Sequence, residues 1–490
     1  MSVKKTSTRI NTLYNVSYRV FSILLPLVTA PYLSRTVGQT GVGMYAHAWN
    51  ASYIFVLIGT LGLESYGVRA ISRVRDNPSM LSRTFSEIFG MQRLVAAVAL
   101  FFWLIYCAFF SGETSPIAWS LTLMSVSCLC NLDWCLMGLD QFRPIALRNT
   151  FVKLLAAGCV FLFIHSQEDL WIYGFAWSLS TLLGCLLCCM SLRKLVTPVR
   201  VPLRDSLRHF VPCLGLFVSV IAVSIYRTMD KVMVGSIAGM AQNGLYENAE
   251  KIIYCLSGFI SAFGNVMMPR SAHLIEQGDL QEVRRSMHLS MHLILCMVSA
   301  MAFGILSVAD RFAPLFYGDD FVYSGTLMMP LGFSLIMIGF ANVVRMQWIL
   351  PNGLDRVVLH SVLTGACVNL IVNFSLIPSM GAMGAVVGTL LAELAVPVVQ
   401  YLHVRGDLPY RSYLKILLSY LLIGTAMTLA VRSLMPLVPD TWTGLMLLVF
   451  FGGAVYGILT LCYWKIAKVQ ILRMLLHRKR RASPAVQDCD

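Results

Sequence analysis

Charged side chains lie inside two apolar segments near the middle of the chain, at spacings that place them on one face of a helix. Residues three and four apart are neighbours on a helix surface, so each group of three can act together. Charges in apolar segments of this kind bind ions or charged substrates, or pair with one another. The two groups are Arg227, Asp230 and Lys231, followed by Glu247, Glu250 and Lys251.

The two groups lie near the ends of successive predicted helices, which a short loop joins. One interpretation is an ion-pair network that holds this helical hairpin together. The other is an outer gate, or a cation-coupling site in the C-terminal half of the chain. The sequence leaves both interpretations open.

Two arginines near the N-terminus are candidates for binding an anion. Arg19 lies about two turns into the first predicted span, where a charge costs about 3 kcal/mol or more. Its side chain must therefore reach water, a partner, a substrate or, by extending, the lipid headgroups. Arginine also suits two-pronged contact with phosphate. Arg35 follows the same span and joins Arg19 as a candidate for substrate binding or gating.

Isolated polar residues in other spans are further candidates. Asn369 and Asn373 share a helix face and could bind hydroxyl groups of a ligand, or hydrogen-bond to another helix. Glu393 is a lone acid that could face a cavity. Asp133 could pair with Arg148 or cap a helix.

Metal and cofactor chemistry is not indicated. The fourteen cysteines are spread through apolar segments, and we interpret them as small buried hydrophobic residues. His288 and His292 are four residues apart at a helix start, which favours an interfacial helix face over a metal pair. No glycine-rich nucleotide-binding loop is present, so ATP is not expected to drive the protein directly. We predict no metal site, no cofactor and no catalytic residue.

The elements that position these residues must be membrane-spanning helices. The 490 residues are 57% hydrophobic and only 13% charged, whereas about 25% is usual in soluble domains. Lipid must therefore solvate most of the surface, and only closed hydrogen-bonded structures are stable in lipid. The apolar runs are long and continuous rather than alternating, which indicates helices and not a barrel. We predict an all-α polytopic membrane protein with about fourteen transmembrane helices.

The basic residues indicate how the spans are oriented. With the N-terminus in the cytoplasm and fourteen spans, 31 of the 38 Lys and Arg residues fall on the cytoplasmic side. An error of one span would reverse the sign of every later loop. The net charge of +14 therefore follows from topology rather than from nucleic-acid binding, and we predict that both termini are cytoplasmic.

A short pattern occurs twice, about 200 residues apart. An even number of spans separates the copies, which predicts two six-helix lobes with parallel topology. The predicted domains are lobes at residues 1–200 and 201–410, helices 13 and 14 at 411–465, and a basic cytoplasmic tail at 466–490. The first copy is Val37-Gly38, Gly43-Met44-Tyr45 and Ala48, and the second is Val234-Gly235, Gly244-Leu245-Tyr246 and Ala249.

An ordered series of motifs along nearly the whole chain resembles the Wzx-type polysaccharide flippases. No single motif is diagnostic, and the order and spacing of the series carry the resemblance. Arg19 departs from the family, in which a neutral polar residue is common at this point. The motifs are Asn11–Asn15, Leu25–Arg35, Tyr66–Arg69, Asp133-Trp134, Tyr226–Lys231, Gly244–Lys251, Met268–Arg270 and Ala341–Arg345.

The resemblance implies a member of the superfamily of multidrug, oligosaccharidyl-lipid and polysaccharide exporters, with two lobes around a central cavity. It implies a polyprenyl-diphosphate-linked oligosaccharide as substrate, moved to the outer leaflet of the bacterial cytoplasmic membrane for surface polysaccharide synthesis. Membrane lipids, a polysaccharide polymerase and chain-length machinery are the implied partners, and nucleic acid is not.

Two alternative functions differ in features visible in the sequence. A multidrug exporter of the same fold should favour acidic side chains for cationic cargo, whereas Arg and Lys in the spans favour an anion. An integral-membrane polymerase or glycosyltransferase generally needs large outer loops or a cytoplasmic domain with clustered carboxylates. The loops between the predicted spans are short and contain no such cluster, so we expect no enzymatic activity.

Overall fold

The structure, a computed structural model, describes residues 8–192 and 195–469. Within these ranges it leaves out the side chains of residues 8–24, 26, 142, 143, 216, 218–220, 222, 223 and 225–227. The candidate side chains of Arg19 and Arg227 and most of the predicted basic tail therefore lie outside the described residues.

The described residues form α-helices without β-strands. The first helices are α1 (Thr8–Thr60), α2 (Leu63–Val74), α3 (Pro78–Phe109), α4 (Ser115–Ser120), α5 (Thr122–Ser127), α6 (Asp133–Gly138), α7 (Phe142–Phe163), α8 (Leu170–Leu192) and α9 (Leu203–Leu207). The later helices are α10 (Phe210–Ala238), α11 (Met240–Glu276), α12 (Leu280–Tyr317), α13 (Val322–Leu331), α14 (Ser334–Val344), α15 (Asp355–Met380), α16 (Ala382–Val404), α17 (Tyr410–Leu434) and α18 (Trp442–Ile466). Short 3₁₀ turns occur at Gly112–Thr114, Gln167–Asp169, Asp319–Phe321 and Met435–Leu437, and a π-helix at Arg345–Ile349.

Eleven segments of the described residues are long and apolar enough to cross a membrane. The three remaining predicted spans correspond to the first part of α1, the group α4–α6, and α10. Helix α1 contains two spans joined at a kink, where Gly38 has φ 65°. The prediction of an all-α membrane protein with about fourteen spans is confirmed.

The predicted span that corresponds to α4–α6 is broken into short helices rather than continuous. Asn131 Oδ1 accepts a hydrogen bond of 3.0 Å from the backbone N–H of Asp133, which turns the chain just before α6. The backbone C=O groups of Cys128 and Asn131 accept hydrogen bonds of 2.7 Å from Gln92 Nε2 on α3. The broken span is stable in lipid because a buried side chain satisfies its free carbonyls.

Contacts divide the chain into two compact units, Met1–Asn248 with Asn369–Ala385, and Ala249–Val368 with Val386–Asp490. The lobe boundaries expected from the repeat remain a prediction.

The first unit packs around α1, which contacts α3, α7 and α10. Two segments of the motif series meet in its core, because the ring of Trp134 lies against Gly67. A Cβ atom at Gly67 would be only 2.6 Å from that ring. Trp134 Nε1 also donates to Gln92 Oε1 at 2.8 Å. Small residues and buried hydrogen bonds are the usual means of joining helices in lipid.

The second unit packs around α12, which contacts α13, α14, α17 and α18. The ring of Phe303 on α12 fits against Gly424 on α17, and Gly339 on α14 lies against Val298. The serines of α12 are mostly buried, which lets neighbouring helices approach closely.

Candidate functional site

The α10–α11 hairpin brings one residue of each predicted group of charges, Lys231 and Glu247, into contact. Only Gly239 separates the two helices, and its φ of 94° is a conformation that glycine adopts without strain. The sharp turn places the last turns of α10 beside the first turns of α11. Asp230 and Lys231 therefore face residues near the start of α11.

Asp230 is the most buried charge among the described side chains of this hairpin, with 2% of its surface exposed. Its carboxylate accepts a hydrogen bond from Tyr246 Oη at 2.9 Å and another from Asn373 Nδ2 at 2.6 Å. Tyr246 and Asn373 are themselves fully buried. A carboxylate taken out of water needs such donors, because an unpaired one costs several kcal/mol or changes its protonation.

Lys231 and Glu247 form an ion pair between the two helices, with 3.0 Å between Nζ and Oε2. Their side chains are only 16% and 17% exposed. Both interpretations of the charged groups find support in this contact. The pair holds the hairpin together, and its two members are next in sequence to Asp230 and to Tyr246, which donates to the Asp230 carboxylate.

Helix α15 adds two asparagines to the same cluster. Asn373 Nδ2 also lies 3.2 Å from Asn369 Oδ1, and both side chains are buried. The two residues thus share a face, as the sequence predicted. Asn369 Nδ2 and Asn373 Oδ1 have no hydrogen-bond partner among the described residues. Buried polar atoms without partners are uncommon in native proteins and mark places where a ligand or water group can bind.

We define the hairpin cluster as Asp230, Lys231, Tyr246, Glu247, Asn369 and Asn373. It contains a carboxylate, an ion pair and two amides within an otherwise apolar bundle. Its atoms can bind a hydroxyl group, a proton or a small cation. Sequence reasoning identified every member except Tyr246, whose position in the repeated pattern was its only signal.

The two copies of the repeated pattern lie in direct contact. Asn243 Nδ2 donates to the backbone oxygen of Gly43 at 2.8 Å. A Cβ at Gly43 would lie 1.7 Å from Met240 O, and one at Gly244 would lie 1.9 Å from Gln39 O. Glycine is therefore required on both sides, because the two helix starts touch through their backbones.

The structure corrects one part of the repeat alignment. Gly38 has φ 65° and lies five residues before Gly43. Its structural counterpart is Gly239, which also has a positive φ and lies five residues before Gly244. Gly235, which the sequence pattern paired with Gly38, instead gives space to the ring of His47. Short glycine patterns allow more than one alignment, and only the backbone conformation distinguishes them.

Substituting Gly244 should destabilise the protein strongly. We expect Gly244→Ala to lower the free energy of unfolding by about 3 kcal/mol, since the new methyl group meets backbone rather than a flexible side chain. Thermal unfolding of the purified protein in detergent measures this. The matched control is Gly453→Ala in α18, where nothing lies within 4 Å of the added Cβ. Equal melting temperatures for the two variants would contradict the close backbone contact.

The other predicted site residues have different surroundings. Arg35 is exposed, and Glu250, Lys251 and Glu393 are partly buried. All four make interactions with other residues. Their place in a substrate site stays a prediction, as does that of Arg19 and Arg227.

Asp133 and Arg148 form the ion pair that the sequence suggested. Arg148 Nη1 and Nη2 donate to the two carboxylate oxygens at 2.7 and 2.6 Å. Gly184 on α8 leaves space for the arginine, since a Cβ there would lie 2.5 Å from Arg148 Cδ. This two-pronged pair joins α6, α7 and α8, so its role is structural.

Glu87 is a buried charge that sequence reasoning missed. Its side chain has no exposed surface, and it pairs with Arg83 at 3.0 Å, with His209 at 3.1 Å and with Arg208. His209 Nδ1 in turn lies 2.6 Å from Tyr66 Oη. The network joins α3 to the segment before α10. Its signal in the sequence was an Arg and a Glu four residues apart at the start of a span.

The family of polysaccharide biosynthesis proteins matches residues 9–275, which is more than half of the chain. The chain belongs to this family. A relative in Escherichia coli K12, named as an O-antigen transporter, is 20% identical over 413 residues, covering 83% of this chain and 99% of the relative.

Solved structures share the fold of this family member. The lipid II flippase MurJ, in an inward closed conformation, aligns with a TM-score of 0.76 at 13% identity, covering 93% of this chain and 99% of that one. An inward-facing multidrug resistance transporter of the MATE family aligns with a TM-score of 0.60 at 14% identity, covering 80% and 97%. The chain therefore has the fold that these two transporters share.

The family member also contains a polar group in its second unit that the sequence did not reveal. The motif Ala341–Arg345 leads into the π-helix, a rare element that is often found at functional sites. Gln347 in this helix is fully buried, and neither atom of its amide has a hydrogen-bond partner among the described residues. Asn342 Oδ1 is also buried without a partner in the described part of the chain. These amides form a second candidate binding point.

Proposed function

We propose that this chain is a flippase that moves polyprenyl-diphosphate-linked oligosaccharides from the inner to the outer leaflet of a bacterial cytoplasmic membrane. The sugar units would serve capsule, exopolysaccharide or other surface polysaccharide synthesis. The match of residues 9–275 to the polysaccharide biosynthesis protein family carries the proposal. The relative named for O-antigen transport, matched over almost its full length, supports the same class of substrate.

The physical task explains the polar residues of the spans. Each desolvated polar group of a sugar headgroup costs several kcal/mol in bare lipid. A flippase lowers this barrier by giving the headgroup a polar path while the polyprenyl tail stays in lipid. In this proposal Arg19 and Arg35 bind the diphosphate, and Asn369 and Asn373 bind sugar hydroxyls through their amides. Arg227 belongs with the residues assigned to gating or coupling.

The hairpin cluster would couple transport to an ion or act as a gate. The buried carboxylate of Asp230 and the nearby ion pair of Lys231 and Glu247 support this role. A change in the protonation or cation occupancy of such a carboxylate alters the local charge balance, which can favour one conformation over another. Glu250, Lys251 and Glu393 are the further members that we assign to gating or coupling.

Deleting the gene in its own host tests the proposed function. We expect surface polysaccharide to disappear and the lipid-linked oligosaccharide to accumulate on the inner leaflet. Plasmid expression of the protein should restore export. Unchanged polysaccharide together with increased sensitivity to cationic dyes would favour a multidrug exporter instead.

Both termini should lie in the cytoplasm. The asymmetric distribution of Lys and Arg motivates this orientation. In a cysteine-free background, Asp490→Cys should resist an impermeant thiol reagent in intact cells and react after the cells are opened. The control is Glu113→Cys, an exposed position in a predicted outer loop, which should react in intact cells. The reverse pattern would contradict the orientation.

A polysaccharide polymerase and chain-length machinery are the proposed protein partners. Association of the flippase with these enzymes would deliver each translocated repeat unit directly to them. Crosslinking in intact cells followed by purification of the tagged chain tests this association.

A further inference from the structure

A basic pocket lies at one end of the second unit, among α12, α17 and α18. Its volume is about 410 Å³. Among the described residues its lining contains no Asp or Glu, but it contains three cationic side chains, Arg285, Lys415 and Lys468, together with His288 and His292. These residues belong neither to the hairpin cluster nor to the Glu87 network.

Arg285 is paired with Glu282 at 3.7 Å and makes a further interaction, whereas the two lysines of this pocket are not paired with a carboxylate in the described part of the chain. For Lys415 and Lys468, no carboxylate oxygen lies within 4.0 Å among the described residues. The pocket therefore has a positive potential that favours an anion.

The inner wall of the pocket is held in place by hydrogen bonds and ring contacts. His292 Nδ1 lies 3.4 Å from Tyr420 Oη, which also accepts a hydrogen bond of 2.8 Å from Trp464 Nε1. The rings of His288 and His292 lie 5.1 Å apart. Ser412 adds a hydroxyl group to the lining. The wall thus offers neutral hydrogen-bonding groups behind the cations.

The position of the pocket indicates a lipid-water boundary. Lys415 lies in the second turn of α17, and Lys468 follows the last turn of α18. Next to Lys415, an exposed apolar stripe begins on α17 and continues towards the middle of the helix. The stripe consists of Leu414, Leu418 and Leu422. A ligand held by the lysines can therefore lay hydrocarbon chains along α17.

We propose that this basic pocket binds the phosphate group of an anionic phospholipid, such as phosphatidylglycerol, separately from the transported substrate. Free phosphate offers the same charge, but the adjoining apolar stripe favours a ligand that carries acyl chains. Because the lining comes from three helices, the bound headgroup joins α12 to α17 and α18. Basic pockets between membrane helices are a known way to bind acidic headgroups.

Native mass spectrometry of the full-length protein in detergent tests the proposal. Phosphatidylglycerol and phosphatidylcholine are titrated separately, and inorganic phosphate is added as a competitor. We expect saturable binding of phosphatidylglycerol, which Lys415→Ala and Lys468→Ala each weaken roughly fivefold and the double variant roughly twenty-fivefold. Lys415→Arg should retain binding, since it keeps the charge.

Lys465→Ala is the matched control, because Lys465 is exposed near the end of α18 but does not line the pocket. It should bind phosphatidylglycerol like the wild type. Equal binding of both lipids, unchanged binding by the double variant, or equal losses for the control and the pocket variants would overturn the proposal. Displacement of the lipid by millimolar inorganic phosphate would overturn the choice of a phospholipid as ligand.

Discussion

Reversing the charge of Lys231 or of Glu247 alone should strongly reduce both membrane abundance and export. Each single change, Lys231→Glu or Glu247→Lys, puts two like charges about 3 Å apart in a largely buried place. Breaking such a pair costs about 3 kcal/mol or more. We expect the double swap to restore abundance to within about twofold of wild type, because it restores the attraction. Export should remain below about a tenth of the wild-type level, because the swap reverses the direction of the ion pair's electric field near Asp230.

Abundance is measured by immunoblot of membranes, and export by surface polysaccharide per unit of protein. The control pair is Arg75 and Asp140, an exposed ion pair at 2.8 Å whose reversal should change neither quantity much. Full recovery of export in the swapped double variant would exclude a gating role and show that the ion pair only stabilises the hairpin.

Replacing Asp230 by Asn should abolish transport while the protein still folds. An amide has nearly the same shape. Its oxygen can accept from Asn373 Nδ2 in place of Oδ1, and its NH2 group can donate to Tyr246 Oη, since a hydroxyl oxygen can also accept. The charge, and with it the ability to bind a proton or a cation, is lost. We expect at least a tenfold fall in transport per molecule, with melting temperature and abundance close to wild type.

Asp140→Asn is the matched control, because Asp140 is exposed and lies outside the hairpin cluster. If Asp230→Asn lowers the melting temperature and the abundance but leaves transport per molecule unchanged, the carboxylate serves folding only. Normal transport by that variant would exclude Asp230 from coupling.

The sequence predicts the helices well because lipid leaves few alternatives. Long apolar runs must be helical, so the all-α fold and about fourteen spans follow from composition and run length. Lone charges must find partners, which is why Asp133 and Arg148 could be paired from the sequence. The helix face shared by Asn369 and Asn373 follows from their spacing of four residues.

The sequence does not determine which residues of distant helices contact each other. Spacing placed Asp230 and Lys231 on one face, but not which residue of α11 or α15 each one meets. Glu87 was overlooked because its three partners, two arginines and a histidine, come from two separate segments. The break before α6 is stabilised by hydrogen bonds from Gln92, a residue of another helix, which form only after folding.

The most direct test of the flippase function uses purified protein in proteoliposomes that contain a fluorescent polyprenyl-diphosphate oligosaccharide. An impermeant quencher added outside destroys the signal of the outer leaflet, and any further loss reports movement from the inner leaflet. We expect nearly all of the fluorescence to become accessible with wild-type protein, and only about half with Asp230→Asn or with protein-free vesicles. Half accessibility with wild-type protein under proton and sodium gradients of either direction, in vesicles that still extrude cationic dyes, would contradict the flippase function.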